Sequence, residues 1–431
     1  MRVLIVGSGA REHALAWKLR QSPRLDALYV APGNTGTAEL ADNLSIKAND
    51  VDGIVRAAQE QRIDLVVVGP EEPLTLGLVD RLDAAGIAAF GPSQAAAEIE
   101  ASKVFAKDLM VRHGIPTAKH RSFDSVLEAG TYIAEHPEPL VIKADGLAAG
   151  KGAILTRDSA EAFEVADALL CDRVFGDAGA RIVVEERLSG RETSAQAFTD
   201  GRTVVSMPLS CDHKAVFDYD EGPNTGGMGA YSPPGWLSPE TVDWIHEHIT
   251  GATVRAMAEE GRPYRGVLYP GLLVTEEGPN VLEYNCRLGD PETQAILPRL
   301  KSDLLDILWA VANQRLQEVS VEWRDEACVA VVMASGGYPG KYETGFPIEG
   351  LDSLDADVML FHAGTKKGDD DGRIVTNGGR VLTVSALGAT LEEARRKAYA
   401  NVERIRWQGA HYRTDVGGRR YRPRPEWLEI P

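Results

Sequence analysis

Residues 281–293 read Val281-Leu282-Glu283-Tyr284-Asn285-Cys286-Arg287-Leu288-Gly289-Asp290-Pro291-Glu292-Thr293, and the fold can be read outward from them. Period-2 alternation places Glu283 and Asn285 on one face of a strand and Cys286 on the other. Polar residues on a strand face ordinarily mark surface. Here two hard oxygen donors stand just ahead of Arg287 and Asp290, a set suited to magnesium bridging ATP phosphates, with a guanidinium beside it for a phosphate or a developing anion. Cys286, facing the other way, reads as a small packed hydrophobe.

Four other segments concentrate chemistry. Residues 143–152, KADGLAAGKG, carry two lysines on a small-residue backbone between two strand-like runs, which fits a phosphate lid or a plain flexible hairpin. It is not a Walker A loop: Gly146 to Lys151 is one residue short, and Gly152 replaces the hydroxyl residue. Residues 183–192, VVEERLSGRE, end a strand on consecutive carboxylates. That is either a solvated strand end or, placed after a lid, a hinge that receives adenine, with Glu192 toward the ribose. Asp212-His213-Lys214 and the glycine-rich GPNTGGMG at 222–229 bring charge and exposed amides together, either around a ligand or in a structural loop. Gly7-Ser8-Gly9-Ala10-Arg11-Glu12 turns a strand into a helix whose amides could receive a small phosphate or only make the turn. As a dinucleotide fingerprint it fails, because Glu12 stands where the third glycine is needed.

The 431-residue chain is long enough for two to four packed units. With 44% apolar and 26% charged residues it has the balance of a folded protein throughout. A formal charge of −18 works against non-specific binding to nucleic acid or anionic membrane, so phosphates must be gripped locally. Four scattered cysteines, with no CxxC pair, suggest neither a zinc cluster nor a disulfide framework and fit a reducing cytoplasm. The apolar start, residues 1–7, is too short for a signal core or a membrane span.

Strand-like runs at 3–6, 27–30 and 65–68 alternate with helical patterns, predicting an α/β domain on a parallel sheet with ligand-binding turns along one edge. Helical spacing over 93–113 places a boundary near Ser102. Runs at 140–143, 153–156 and 181–185 predict a small α+β lobe, and those at 329–334, 358–362 and 380–386, followed by a helix over 391–404, a C-terminal α+β domain. The resulting division is 1–102, 103–322 with a small lobe over about 118–191, and 323–431. The tract at 366–372, KKGDDDG, predicts a solvated hairpin loop.

Taken together, GSGAREHALAWKL, GPEEPL, KADGLAAGKG, GPNTGGMGAYSP, EYNCRLGDPETQ, ILPRLKSDL, FHAGT and TNGGRVL resemble, over nearly the whole chain, the ATP-grasp superfamily and within it the glycine-coupling ligases of purine biosynthesis. The resemblance implies a two-lobed ATP-grasp body between the two flanking domains, with ATP and magnesium or manganese as cofactors. It implies glycine and 5-phosphoribosylamine as substrates, a glycyl phosphate intermediate, and a monomer or weak homodimer. By the same resemblance Lys107 and Lys143 contact phosphates, and Gly150, Lys151 and Gly152 form the lid. Glu185, Glu186, Leu188 and Glu192 hold the nucleoside, and Glu283 and Asn285 ligate the metal. Gly9, Asp212, His213, Lys214, Thr225, Gly226, Arg287 and Asp290 line the substrate side, with Lys151, Asp212, Lys214 and Arg287 nearest the chemistry. The chain departs from the family at Ala10, Ala215 and Leu288, where glycine, arginine and phenylalanine are usual. Competing expectations are a carboxylase of the same superfamily, a nucleotide sensor without turnover, or a nicotinamide-dependent enzyme built on the first glycine loop. Replacing Lys151 by alanine is expected to lower steady-state turnover with little change in the unfolding midpoint; unchanged turnover would argue against a lid role.

Overall fold

The computed structural model describes residues 1–148, 152–368 and 372–418. Gly150 and Lys151, and the centre of the 366–372 tract, lie outside the described residues. The N-terminal sheet has five parallel strands in the order Asp42–Asn43, Ala27–Pro32, Arg2–Gly7, Leu65–Val68, Ala88–Phe90. Leu4, Ile5, Val66 and Val67 are fully buried, as continuous apolar strands must be when helices cover both faces. The strand Arg2–Gly7 turns into the helix Ala10–Leu19, where the buried Glu12 carboxylate folds back and accepts the Gly9 amide at 2.6 Å. That carboxylate fills the space beside Gly7 and Gly69, where an added Cβ would come within 2.6 and 2.1 Å of it. A dinucleotide pyrophosphate has no room there.

The helical stretch expected over 93–113 is two helices, Gln94–Ala101 and Lys103–Arg112, broken at Ser102 (φ −130°, ψ 111°). The Ser102 hydroxyl accepts the Phe105 amide at 3.1 Å, capping the second helix. Beyond it, four antiparallel strands run in the order His120–Phe123, Ile182–Glu186, Leu140–Ala144, Ala153–Leu155. The helices Val126–Glu135 and Ser159–Leu170 bury Ile133 and Leu169 with Leu140, Ile142 and Val184 in this lobe's own core.

The larger lobe is built on the strand Arg265–Thr275, paired with Arg191–Ser194, Ala197–Asp200 and Gly278–Asn285. The last pairing slips by one residue: Leu272 faces Val281 and Gly271 faces Glu283, leaving Leu282 as a β-bulge. The slip puts Val281 and Tyr284 both in the core and turns Glu283 and Asn285 to the other side.

A fourth sheet runs Cys211–Asp212, Gly229–Ser232, Ala327–Ala334, Arg380–Gly388, Val358–His362, with the helix Leu391–Val402 packed on it. Two of its strands come from 211–232, so it crosses the division expected at 322/323. The strands Thr365–Lys367 and Ile374–Thr376 form a two-stranded antiparallel ribbon flanking the acidic tract.

The N- and C-terminal parts meet at two buried histidines. The His362 amide donates to His13 Nδ1 at 2.8 Å, and Asn34 donates to the His362 carbonyl at 2.7 Å. Burial, with His362 nearby, lowers His13 from 6.5 to about 3, and burial lowers His362 to about 4. On acidification the unfolded chain therefore takes up these protons first. The histidines cost no stability above about pH 6.5, and each costs about 1.4 kcal/mol per pH unit as the pH falls from there toward its folded value. His13→Gln, which keeps an acceptor without the titration, is expected to show a shallower fall in unfolding free energy from about pH 6.5 to 4.5 than the wild type. Parallel slopes in a pH series of denaturant titrations would contradict this.

Candidate active site

A cavity of about 430 Å³ lies where the N-terminal sheet edge, both lobes and the C-terminal sheet meet, and its walls are strongly charged. Glu283 and Asn285 line it from the strand Gly278–Asn285. Burial pushes the Glu283 carboxyl up, but Lys214, Lys143, Lys103 and Arg287 outweigh it and hold the group below the usual range. Glu283 therefore presents ionised oxygen beside the Asn285 amide, the hard donors that magnesium or manganese takes. Among the described residues no three His, Cys, Asp or Glu side chains group as a fuller metal cage.

Opposite stands a buried ion cluster. Lys107, from the helix Lys103–Arg112, and Lys143, from Leu140–Ala144, each reach Glu185 at 3.0 Å. Lys107 also donates to Thr117 Oγ1 at 2.6 Å, and Thr117 donates to the Val281 carbonyl at 2.7 Å. Lys143 donates to the carbonyl of the bulged Leu282 at 2.8 Å. Burial lowers Lys107 to about 8 despite Glu185. Asp145 is fixed at the end of the strand Leu140–Ala144: it accepts Ser102 Oγ at 2.9 Å and the Val104 amide at 2.8 Å, and pairs with Arg181 at 2.7 Å. Gly152, just before the strand Ala153–Leu155, has no room for a side chain, since a Cβ would come within 2.7 Å of Ala148.

The residues expected around the nucleoside separate. The Glu185 side chain is turned between the lysines. Glu186 accepts the Lys119 amide at 2.8 Å, and Glu192 pairs with Lys214 at 2.9 Å. Leu188 is half-buried on the segment between strands and outside the cavity wall.

On the expected substrate side, Asp212, Lys214, Thr225, Gly226, Arg287 and Asp290 all line the cavity. Thr225 donates to the Lys214 carbonyl at 2.8 Å and accepts the Gly227 amide at 2.9 Å, tying the two loop segments together. His213 does not join them: in extended chain it faces opposite to its neighbours, and its ring packs 5.9 Å from Tyr231 and accepts the Gly417 amide at 3.2 Å. Gly9 is close to Asp290, which a Cβ would approach to 3.2 Å, but its amide is taken by Glu12.

Sequence reasoning passed over six charged residues of the wall, Arg11, Glu71, Glu100, Lys103, Glu292 and Arg380. Arg287 is clasped by Glu71 at 3.1 Å and Glu100 at 3.5 Å. Burial alone would raise Glu71, but Arg287 and Arg11 hold it near 2, whereas burial raises Glu100 against Arg287. Arg380, from the C-terminal sheet, donates to the carbonyls of Gly226 and Asp290, both at 2.7 Å. Burial raises Asp290, but Arg380, Arg11 and Arg287 more than compensate and keep it low. Lys103 and Glu292 complete the set. Glu71, Arg11 and Arg380 each sit inside a glycine-bearing segment, GPEEPL, GSGAREHA and TNGGRVL, and a charged residue in such a turn was the available signal.

A small antiparallel lobe facing a larger sheet, with buried lysines on one side and metal-type donors on the other, defines an ATP-grasp ligase. Family models described as phosphoribosylglycinamide synthetase match the N domain over residues 1–100, the ATP-grasp (A) domain over 101–293 and the C domain over 328–419. The chain belongs to the phosphoribosylglycinamide synthetase family. Relatives named phosphoribosylamine–glycine ligase include one from Salmonella typhimurium, 49% identical over 97% of this chain and 98% of its own length. Another, from Allochromatium vinosum, is 51% identical over the same shares. The crystal structure of the Thermotoga maritima phosphoribosylamine–glycine ligase superposes with a TM-score of 0.85 at 36% identity, covering 96% of this chain and 99% of that one. A biotin carboxylase domain from Hydrogenobacter thermophilus, at 16% identity and a TM-score of 0.74, shares the fold.

Because Asp145 caps the helix that carries Lys103 and Lys107, Asp145→Ala is expected to lower the unfolding free energy by about 3 kcal/mol, from two lost bonds to a charged acceptor and the buried donors left behind. Asp145→Asn should lose less. Equal stability of the alanine variant and the wild type in denaturant titration would contradict the assignment.

Proposed function

We propose that this ligase joins glycine to 5-phosphoribosylamine at the expense of ATP, giving glycinamide ribonucleotide, ADP and phosphate in purine biosynthesis. The observation that carries the reading is one cavity holding the Glu283–Asn285 face, two buried lysines and the Arg287–Asp290 group together. A carboxylate is a poor electrophile, so its oxygen first attacks the γ-phosphorus of ATP; the bond to the β-bridging oxygen breaks, leaving ADP and glycyl phosphate. The amine of phosphoribosylamine then attacks the acyl carbon, the carbon–oxygen bond to phosphate breaks, and the nitrogen gives up a proton. No protein nucleophile is needed.

In this reading Lys107 and Lys143 take the phosphates, and Glu186, Leu188 and Glu192 bound the nucleoside. Glu283 and Asn285 would hold magnesium or manganese, which offsets phosphate charge when bound. Arg287, already ordered by Glu71 and Glu100, offsets the anion that develops on the acyl oxygen, since a preorganised charge costs no reorganisation during the reaction. Asp212, Lys214, Thr225, Gly226, Gly9 and Asp290 bound the sugar-phosphate and amine side; His213, packed against Tyr231, is left supporting the loop. Closure of the loop containing Gly150, Lys151 and Gly152 keeps water from the acyl phosphate. We also infer the division into 1–102, 103–322 and 323–431, with the strands Cys211–Asp212 and Gly229–Ser232 lent to the C-terminal sheet, and action in the cytoplasm as a monomer or weak homodimer. No described helix is long and apolar enough to cross a membrane.

Coupled ADP release should require glycine, fresh phosphoribosylamine and magnesium, each omission abolishing it. Glu283→Gln should lower kcat by about 100-fold or more with an unchanged unfolding midpoint. ADP release without the amine, or full activity of the variant, would contradict the proposal.

A further inference from the structure

Glu185 belongs to the carboxylate pair expected to hold the nucleoside, yet its side chain is only 2% exposed and lies between two ammonium groups. We propose that Glu185 is a positioning residue: a resident counter-ion that keeps Lys107 and Lys143 aimed at the phosphate site and yields both to the polyphosphate when ATP binds. This rests on the reading of the two lysines as phosphate ligands.

The sheet register sets the arrangement. Lys143 faces Val183 and Val141 faces Glu185 across antiparallel strands, so Lys143 and Glu185 are diagonal neighbours on one face. Lys107 arrives at the same carboxylate from the helix Lys103–Arg112, with 2% of its side chain exposed, and Lys143 has 6%. Two buried ammonium ions without an anion would repel each other and lack solvation, a cost that a shared carboxylate offsets. The cluster keeps a net charge of +1, which favours a phosphate at its open side.

Each lysine has one ionic contact, to Glu185, and one hydrogen bond, to a neutral acceptor. The neutral ones, Thr117 Oγ1 for Lys107 and the Leu282 carbonyl for Lys143, lie on or against the strand that carries Glu283. An ammonium has three protons to donate. Exchanging only the Glu185 contact for a phosphate oxygen leaves each lysine held by its neutral partner and pointed at the strand where the metal donors stand. Glu185 thus competes with ATP in the empty enzyme while keeping the lysines ordered, so its removal should tighten ATP binding and not weaken it. A nucleoside ligand or a purely structural residue would give the opposite sign.

The test is the affinity of the full-length protein for adenosine and for ATP in magnesium, by calorimetry at about pH 6.0 and 6.5, below the wild-type Lys107 value of about 8, because removing Glu185 lowers that value further. Glu185→Gln is expected to bind adenosine within about twofold of the wild type and ATP about threefold or more tighter. Glu185→Asp, whose shorter carboxylate cannot reach both lysines, should lie between them, and it decides the matter if the glutamine variant does not fold. Weakened adenosine or ATP binding in either variant overturns the counter-ion role. Lys143→Met separates the two levels. If it binds ATP as the wild type does, the lysine–phosphate reading falls and this proposal with it. If it weakens ATP while Glu185→Gln weakens ATP too, only the counter-ion role falls.

Discussion

Four cations, Lys214, Lys143, Lys103 and Arg287, act on the carboxylate of Glu283 within one half-buried cavity, and the rest of the site is arranged around that imbalance. Charges removed from water are tolerated when paired or hydrogen-bonded, and Lys103 donates to the Gly146 carbonyl at 3.2 Å. Lys143 and Lys107 share Glu185, Lys214 takes Glu192, and Arg287 takes Glu71 and Glu100. Groups of both signs thus stand at defined positions before any substrate enters. Such a surface suits a reaction in which negative charge moves from a carboxylate to a phosphate without a covalent enzyme intermediate.

Holding these charges requires elements from every part of the chain. Arg11 and Glu71 come from the first turns of the helices Ala10–Leu19 and Glu71–Thr75 at the edge of the N-terminal parallel sheet, Lys143 from the small lobe, Glu283 from the larger one, and Arg380 from the C-terminal sheet. The parts are tied by specific bonds: Asp145 to the amide of Val104, His13 to His362, and Arg380 to the backbone of Gly226 and Asp290. The bulge at Leu282 does two jobs. It turns Glu283 toward the cavity and leaves a carbonyl free for Lys143.

Much of this was legible in the sequence because it depends on local periodicity. Continuous apolar runs gave the parallel strands, and the alternation from Glu283 to Asn285 holds because the bulge falls before it. The same alternation, applied to Asp212-His213-Lys214, would have turned His213 away; only the resemblance kept it on the substrate side. What the sequence left hidden is non-local. The register of Leu140–Ala144 against Ile182–Glu186 decides that Glu185 meets lysines. The pairing of Gly229–Ser232 with Ala327–Ala334 carries the last sheet across an expected boundary, and a strand of four residues is too short to give a periodic signal for it. Glu100 lies in the last turn of a helix that reads as continuous with the next, so its place beside Arg287 depends on the break at Ser102.

The central claim is that the Glu283–Asn285 face and the lysine pair together enclose the reacting phosphates. A crystal structure with a non-hydrolysable ATP analogue, glycine and magnesium tests it most directly. It should place the ion about 2.1 Å from oxygens of both Glu283 and Asn285, in contact with the phosphates, with Lys107 and Lys143 on phosphate oxygens. A γ-phosphate lying away from that strand face, or an ion held by other side chains, would contradict the account.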